Sequence, residues 1–397
     1  MNAFATSSAA EATQLAAVPG PLQPYRSVRV WLLVGLVMVF FQVMIGGITR
    51  LTDSGLSITE WEVIRGTLPP LNAAQWEEAF ALYKTEARQQ FESLHADMTL
   101  SEFKWIYFWE YFHRLWARSM GFVFILPFLY FLWKRRGFRN EKLSTAERIS
   151  RERWMPGWLL RALGTVILLA AAIATMGWIM VASGLNEDNR TWVSAYKLIA
   201  HLGLATLLFG YLFYTWLRAQ QPQTTDGHLP KKYRYAWLLL GLLGVQILIG
   251  GLMAGMRAGL LHPSWPMFVE GERLWNALSD TQLSADEIIN YEASTAVKAW
   301  VQVIHRVLAW TLAILLVGFG LNLRKWRVSR RSVVAGWGVF GLVLAQFSLG
   351  VMTVVNSYGS IPLGYGVLHQ LTALVLLCAV VYIIYQLRPA GRPGVVS

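Results

Sequence analysis

Eight long apolar runs constrain this chain more than any other feature. They lie near residues 30–49, 112–133, 160–184, 193–217, 235–256, 297–322, 333–355 and 364–387. A bilayer core about 30 Å thick takes roughly 20 apolar residues to cross as a helix, so each run suffices for one crossing. Inside lipid every backbone polar group must be satisfied within the protein, and uninterrupted runs of this length do so as helices. With 55% hydrophobic and 15% charged residues among 397, the expected fold class is an all-α integral membrane protein with eight transmembrane helices.

The net charge of +12 reports topology, not a nucleic-acid partner. Lys134, Arg135, Arg136, Arg139, Lys142, Arg148, Arg151 and Arg153 fill the link after the second run. Lys231, Lys232 and Arg234 precede the fifth, and Arg324, Lys325, Arg327, Arg330 and Arg331 follow the sixth. The intervening segments are mixed or acidic, with Glu77, Glu78, Glu86, Glu92 and Asp97 in the first. By the positive-inside rule the basic links are cytoplasmic, and so are both termini. Residues 1–28 have no basic residue before Arg26 and no apolar core, which fits neither a cleaved signal peptide nor an Arg-rich presequence. They are expected to form a disordered cytoplasmic tail, with the first run as the insertion signal into a bacterial cytoplasmic (inner) membrane. The single cysteine, Cys378, lies within the eighth run and reads as a small buried apolar residue.

The runs fall into a unit used twice. Gln42-Val-Met-Ile-Gly46-Gly47 matches Gln246-Ile-Leu-Ile-Gly250-Gly251, His113-Arg114 matches His305-Arg306, and His201-Leu-Gly-Leu-Ala205 matches His369-Gln-Leu-Thr-Ala373. All three occur in the same order on the first, second and fourth spans of each half, as a duplication requires. The expectation is two tandem four-helix bundles, residues 29–220 and 221–397, related by a pseudo-twofold axis along the membrane normal.

Four of the seven histidines sit near the starts of even-numbered spans: His113, His201, His305 and His369. Even-numbered spans run inward, so all four lie near the outer face at one depth. His95, His228 and His262 fall in connections. For any one such residue the plain alternative is an imidazole satisfied by a carbonyl or water. Four in a duplicated pattern point to metal ligation, with each bundle supplying the two imidazoles that a heme iron takes. Zinc or copper suits the set less well, since each half offers two histidines, no thiolate and no shared carboxylate. Arg114, Arg306 and Arg118 are candidate partners for heme propionates, the alternative being that they snorkel to the headgroups. The second half has no counterpart of Arg118.

The run from Gly46-Gly47-Ile-Thr49-Arg50-Leu-Thr52-Asp53 through Ser54-Gly55-Leu56-Ser57-Ile-Thr-Glu60-Trp61 closely resembles a motif of the heme A synthase family. So do Glu102-Phe103-Lys104 through Trp109-Glu110-Tyr111-Phe112-His113-Arg114, and Tyr196-Lys-Leu-Ile-Ala-His201. The resemblance implies oxidation of the C8 methyl of heme O to the formyl group of heme A, by two hydroxylations to a hydrated aldehyde that loses water. It implies heme O between His113 and His201 and a resident heme b between His305 and His369. It also implies a heme O synthase as supplier of the substrate and an electron donor that the sequence does not name, and it leaves a homo-oligomer open. The chain lacks the cysteine pair that one branch of the family carries in its first outer loop, and His262-Pro-Ser-Trp265-Pro266-Met267 matches the family's Trp-Pro motif only in part.

Within that reading Glu60 is the candidate catalytic carboxylate, able to accept a proton, orient water or stabilise positive charge at the methyl carbon. Its plain alternative is a solvated loop residue. Glu110, one turn before His113, is expected to orient that imidazole or to pair with Arg114. A diheme b-type cytochrome that only moves electrons fits the four histidines equally well, whereas the paired ligands in both halves argue against a third class, a heme transporter or chaperone.

Overall fold

The computed structural model describes residues 22–60, 65–136, 143–185, 191–221, 226–266, 275–276, 278–279 and 283–389. The tail expected over residues 1–28 lies outside the described residues as far as position 21, and so does Trp61. Eight helices are long and apolar enough to cross a membrane. They are α1 (Arg26–Leu51), α2 (Leu100–Arg136), α3 (Gly157–Leu185), α4 (Ala195–Gln220), α5 (Pro230–Gly255), α6 (Thr295–Asn322), α7 (Arg330–Val355) and α8 (Leu363–Leu387). No strand occurs among the described residues. The chain is a multi-pass α-helical membrane protein.

One boundary differs clearly from the sequence expectation. Helix α2 begins at Leu100, well before the apolar run at 112, because Ser101, Glu102, Lys104 and Glu110 interrupt hydropathy without interrupting the helix. Thr99 and Glu102 cap its start reciprocally: the Glu102 carboxylate accepts from the Thr99 backbone N–H at 2.8 Å, and Thr99 Oγ1 accepts from the Glu102 N–H at 3.3 Å. The extra turns bury Phe103 against Phe80 and Tyr83, with ring centroids 4.9 and 5.4 Å away. Those two rings come from a short helix between α1 and α2, Ala73–Glu86, which Asn72 caps by accepting from the Gln75 N–H. Against the same layer, the Tyr83 hydroxyl lies 2.6 Å from His95 Nδ1 and donates to Gln90, whose amide donates to the Asp53 carbonyl. Burial pulls the His95 imidazole below its ordinary range.

The helices pack as two groups. In the second group α5 touches α6, α6 touches α7, α7 touches α8 and α8 returns to α5. In the first, α1 packs on α2 and α4, and α3 packs on α4. The groups meet through α1 and α4 against α5 and α8, and one apolar core runs through both, from Leu36 and Leu212 to Leu243, Leu316 and Val380. This packing and the shared histidine registers are consistent with a duplicated unit.

The C-terminal ends of α1 and α5 are tied together. Arg50 donates to the carbonyls of Ala254 and Gly255 at 3.0 and 3.1 Å, satisfying acceptors that the end of α5 leaves open. Asp53 pairs with Arg257, whose guanidinium also lies 4.3 Å from the Trp192 ring centre. In the register that superposes Gly46-Gly47 on Gly250-Gly251, Asp53 falls on Arg257. Both are left-handed, at φ 55° and 52°, so the turn that ends α1 repeats at the end of α5 and the two turns carry opposite charge.

Candidate functional site

Each of the four histidines rests on a glycine of the preceding helix. A Cβ on Gly46 of α1 would come within 3.2 Å of His113 Nε2 on α2, and one on Gly177 of α3 within 3.1 Å of the His201 ring on α4. Gly250 and His305, then Gly350 and His369, repeat this at 3.2 and 2.9 Å. A side chain at any of these glycines would displace the imidazole from the centre of the bundle. The sequence repeat exposes Gly46 and Gly250. Gly177 and Gly350 escape it, because α3 and α7 share little beyond that glycine.

Hydrogen bonds orient the rings. His201 Nδ1–H donates to the Ile173 carbonyl and His369 Nδ1–H to that of Gln346, both at 3.0 Å. A histidine held through Nδ1 presents Nε2 to a metal. Gln42 and Gln246 donate to the backbone carbonyls of His113 and His305 at 3.3 and 3.1 Å, so the polar positions that the repeat brings out hold the ligand helices in place.

The second-half geometry fits a heme. The His305 and His369 ring centroids are 6.5 Å apart with planes at 69°. Two metal–imidazole bonds of about 2 Å, plus about 1 Å from nitrogen to centroid in each ring, give roughly 6 Å. Among the described residues no three His, Cys, Asp or Glu side chains gather as a metal-ion site. A pair of imidazoles completes the coordination of an iron that brings four porphyrin nitrogens of its own. In the first half Gly46 and Gly177 seat His113 and His201 as Gly250 and Gly350 seat the second-half pair.

The loops after α1 and α5 are braced by the arginines next to the histidines. Arg114 donates to the Ile58 and Glu60 carbonyls at 2.8 and 2.9 Å, and its Nε donates to Glu110 at 2.6 Å. Arg306 donates to the His262 carbonyl at 3.0 Å, as does Gln302. In the repeat register Ile58 falls on His262 and Glu110 on Gln302. The brace is common to both halves; the carboxylate belongs to the first alone. Glu110 is buried, whereas Glu60 is exposed and contributes its backbone carbonyl to the brace. Arg118 is half-buried one turn beyond Arg114, where the second half has Trp310. The sequence hint that singled out Glu60 was its motif. The signal for Glu110 was the exchange against Gln302 at an otherwise repeated position.

Residues 29–381 match the model of the cytochrome oxidase assembly protein family. A heme A synthase of Flavobacterium psychrophilum is 37% identical over 366 residues, covering 91% of this chain and 98% of its own length. Those of Bradyrhizobium diazoefficiens and Rhodospirillum centenum are each 38% identical, covering 91% and 99% of this chain and 91% and 95% of their own. The chain belongs to the heme A synthase family. The heme A synthase match spans all eight helices, so the family assignment covers both histidine pairs and the braced loops.

Proposed function

We propose that this chain makes heme A from heme O in the first bundle, with a resident heme b held by His305 and His369 in the second. When bound, heme iron supplies the oxidising chemistry that a methyl C–H requires and that side chains lack. The protein's part is to hold the substrate between His113 and His201, to fix its acidic groups beside Arg114 and Arg118, and to present a carboxylate to the reacting edge. Glu110 takes that last position in this reading, with Glu60 at the rim, and Arg306 serves the propionates of the resident heme. The observation that carries the assignment of halves is the exchange of Glu110 and Arg118 for Gln302 and Trp310 between two otherwise equal ligand frames. A cytochrome that only moves electrons has no use for that difference. The active side faces outward in an inner membrane with both termini cytoplasmic, and a heme O synthase in the same membrane supplies the substrate.

The direct test is expression in a host that makes heme O but lacks this activity, followed by extraction and identification of the hemes. Heme A or its hydroxylated precursor is expected. Protoheme and unchanged heme O alone would sink the assignment.

The two carboxylates are separable. Glu110→Gln keeps size and hydrogen bonding and removes the charge, and is expected to lower turnover about a hundredfold or more, the scale of a lost general acid or base. Glu60→Gln is expected to slow the reaction less, with accumulation of the alcohol as its mark. Both variants should keep the resident-heme spectrum. The opposite order of effects would return the catalytic role to Glu60.

A further inference from the structure

The two bundles differ in one wall. In the second, α6 and α7 are joined twice. Near the histidines, Trp310 on α6 packs on Phe347 on α7 with ring centroids 4.5 Å apart, and Trp265 lies against both. Farther along, the backbones cross at Gly320 and Gly336, where a Cβ on Gly320 would sit 2.7 Å from the Gly336 carbonyl oxygen. Their counterparts in the first bundle, α2 and α3, barely touch. They are also the two least buried of the eight spanning helices.

The difference is written in the side chains. Superposing His113 on His305 and Gly177 on Gly350 places Arg118 and Phe128 where Trp310 and Gly320 stand. It places Ala174 and Leu163 where Phe347 and Gly336 stand. Ala174 has no ring to meet a partner across the gap, and it is exposed. Phe128 and Leu163 are too bulky for a backbone crossing, which needs small residues on both helices. Because the bundles meet through α1, α4, α5 and α8, the gap between α2 and α3 faces away from the second bundle, toward lipid.

The geometry points to the α2–α3 seam as a lateral port through which heme O enters from the bilayer, and as the bed in which its isoprenoid chain lies. This inference rests on the first bundle being the substrate half. A resident heme needs no door, and its bundle is closed. A substrate that is exchanged at every turnover needs one, and a long apolar chain moves from lipid into an apolar seam without crossing water.

The test uses the full-length, heme-b-loaded protein with Cys378→Ser and Ala174→Cys, so that one thiol stands at the lip of the seam. Unlabelled, this variant sets the baseline for heme O binding, read by its absorbance, and for conversion. Labelled with a bulky apolar maleimide before heme O is added, it should lose heme O binding and conversion by about tenfold or more with the b-heme spectrum unchanged. Labelled after heme O is bound, it should complete one turnover and retain the product. A control thiol at Leu168→Cys, exposed on another face of α3, should be insensitive to the label in both orders. Unchanged loading and release in the labelled Ala174→Cys protein, or equal block at Leu168→Cys, would overturn the port. Failure of the unlabelled wild type to convert heme O would instead overturn the functional reading beneath it. Should the thiol variant lose heme b, Ala174→Phe supplies at an exposed position the ring that Phe347 gives the closed wall and is expected to slow heme O uptake. Unaltered uptake there would also overturn the port.

Discussion

Replacing either His305 or His369 with leucine is expected to remove most of the b-type absorption spectrum and the activity together. The two rings face each other at the separation that a six-coordinate iron sets, so one imidazole cannot move to do the work of both. Leucine fills similar space without a nitrogen, and Gly250 and Gly350, which make room for the rings, give the new side chain no polar partner. The loss should extend to stability. A ligand present at a thousand times its Kd stabilises the folded state by about 4 kcal/mol, so a tightly held heme contributes on that scale, and the variants should melt earlier in detergent. His262→Gln is the control, since the structure uses the His262 backbone carbonyl to receive Arg306 and Gln302. Optical spectra, conversion of heme O to heme A and thermal melts measure all three effects. A full bis-histidine spectrum in both leucine variants would show that the halves are assigned the wrong way round.

Much of this architecture is legible in the chain before any coordinates. The eight spans are visible because lipid accepts only long apolar helices, and the pairing of histidines is visible because ionisable groups in spans are few and costly. What escaped is of two kinds. The first turns of α2 carry Glu102, Lys104 and Glu110, so hydropathy ends where the helix does not; their stability comes from Phe103 packing on another segment, which no local pattern reports. The glycines under His201 and His369 escaped because close packing is a relation between helices, and one glycine in an apolar run carries no such information. In three of the four histidine sites a glutamine stands one turn before that glycine, at Gln42, Gln246 and Gln346, whereas the fourth has Ile173. The unit repeated in function is thus the helix hairpin, one glycine and one histidine, used four times. Ile173 breaks the pattern in the second copy.

The charged residues divide along the same line. Arg114 and Arg306 were legible as a pair beside the histidines, but their reach to the Ile58 and His262 carbonyls was not, since the loops after α1 and α5 share few side chains. Backbone acceptors leave no mark in a sequence. Of the two readings that the sequence left for Glu110, the pairing with Arg114 is present, while its counterpart Gln302 donates to the loop after α5.

In the first half, His113→Leu or His201→Leu is expected to abolish heme O conversion while leaving the b-heme spectrum nearly unchanged. Both rings sit on glycines as their second-half counterparts do, and His201 is oriented by the Ile173 carbonyl, so the ligand frame is as well built. The difference lies in what the frame must do. A permanent cofactor can be bound tightly at no cost to turnover, whereas a site that held its product as tightly would be limited by release. The open wall between α2 and α3, and the absence of the Trp265, Trp310 and Phe347 cluster that closes the second bundle, fit a site whose occupant leaves. Wild-type protein purified from cells without heme O should accordingly carry about one tightly held protoheme per chain, the number of permanent bis-histidine sites in this scheme. Heme stoichiometry before and after adding heme O decides the matter, because the added heme should bind in the first-half leucine variants far more weakly than in wild type. Two protohemes held equally tightly, both lost only on denaturation, would favour a diheme cytochrome, in which the first-half histidines serve a cofactor and not a substrate.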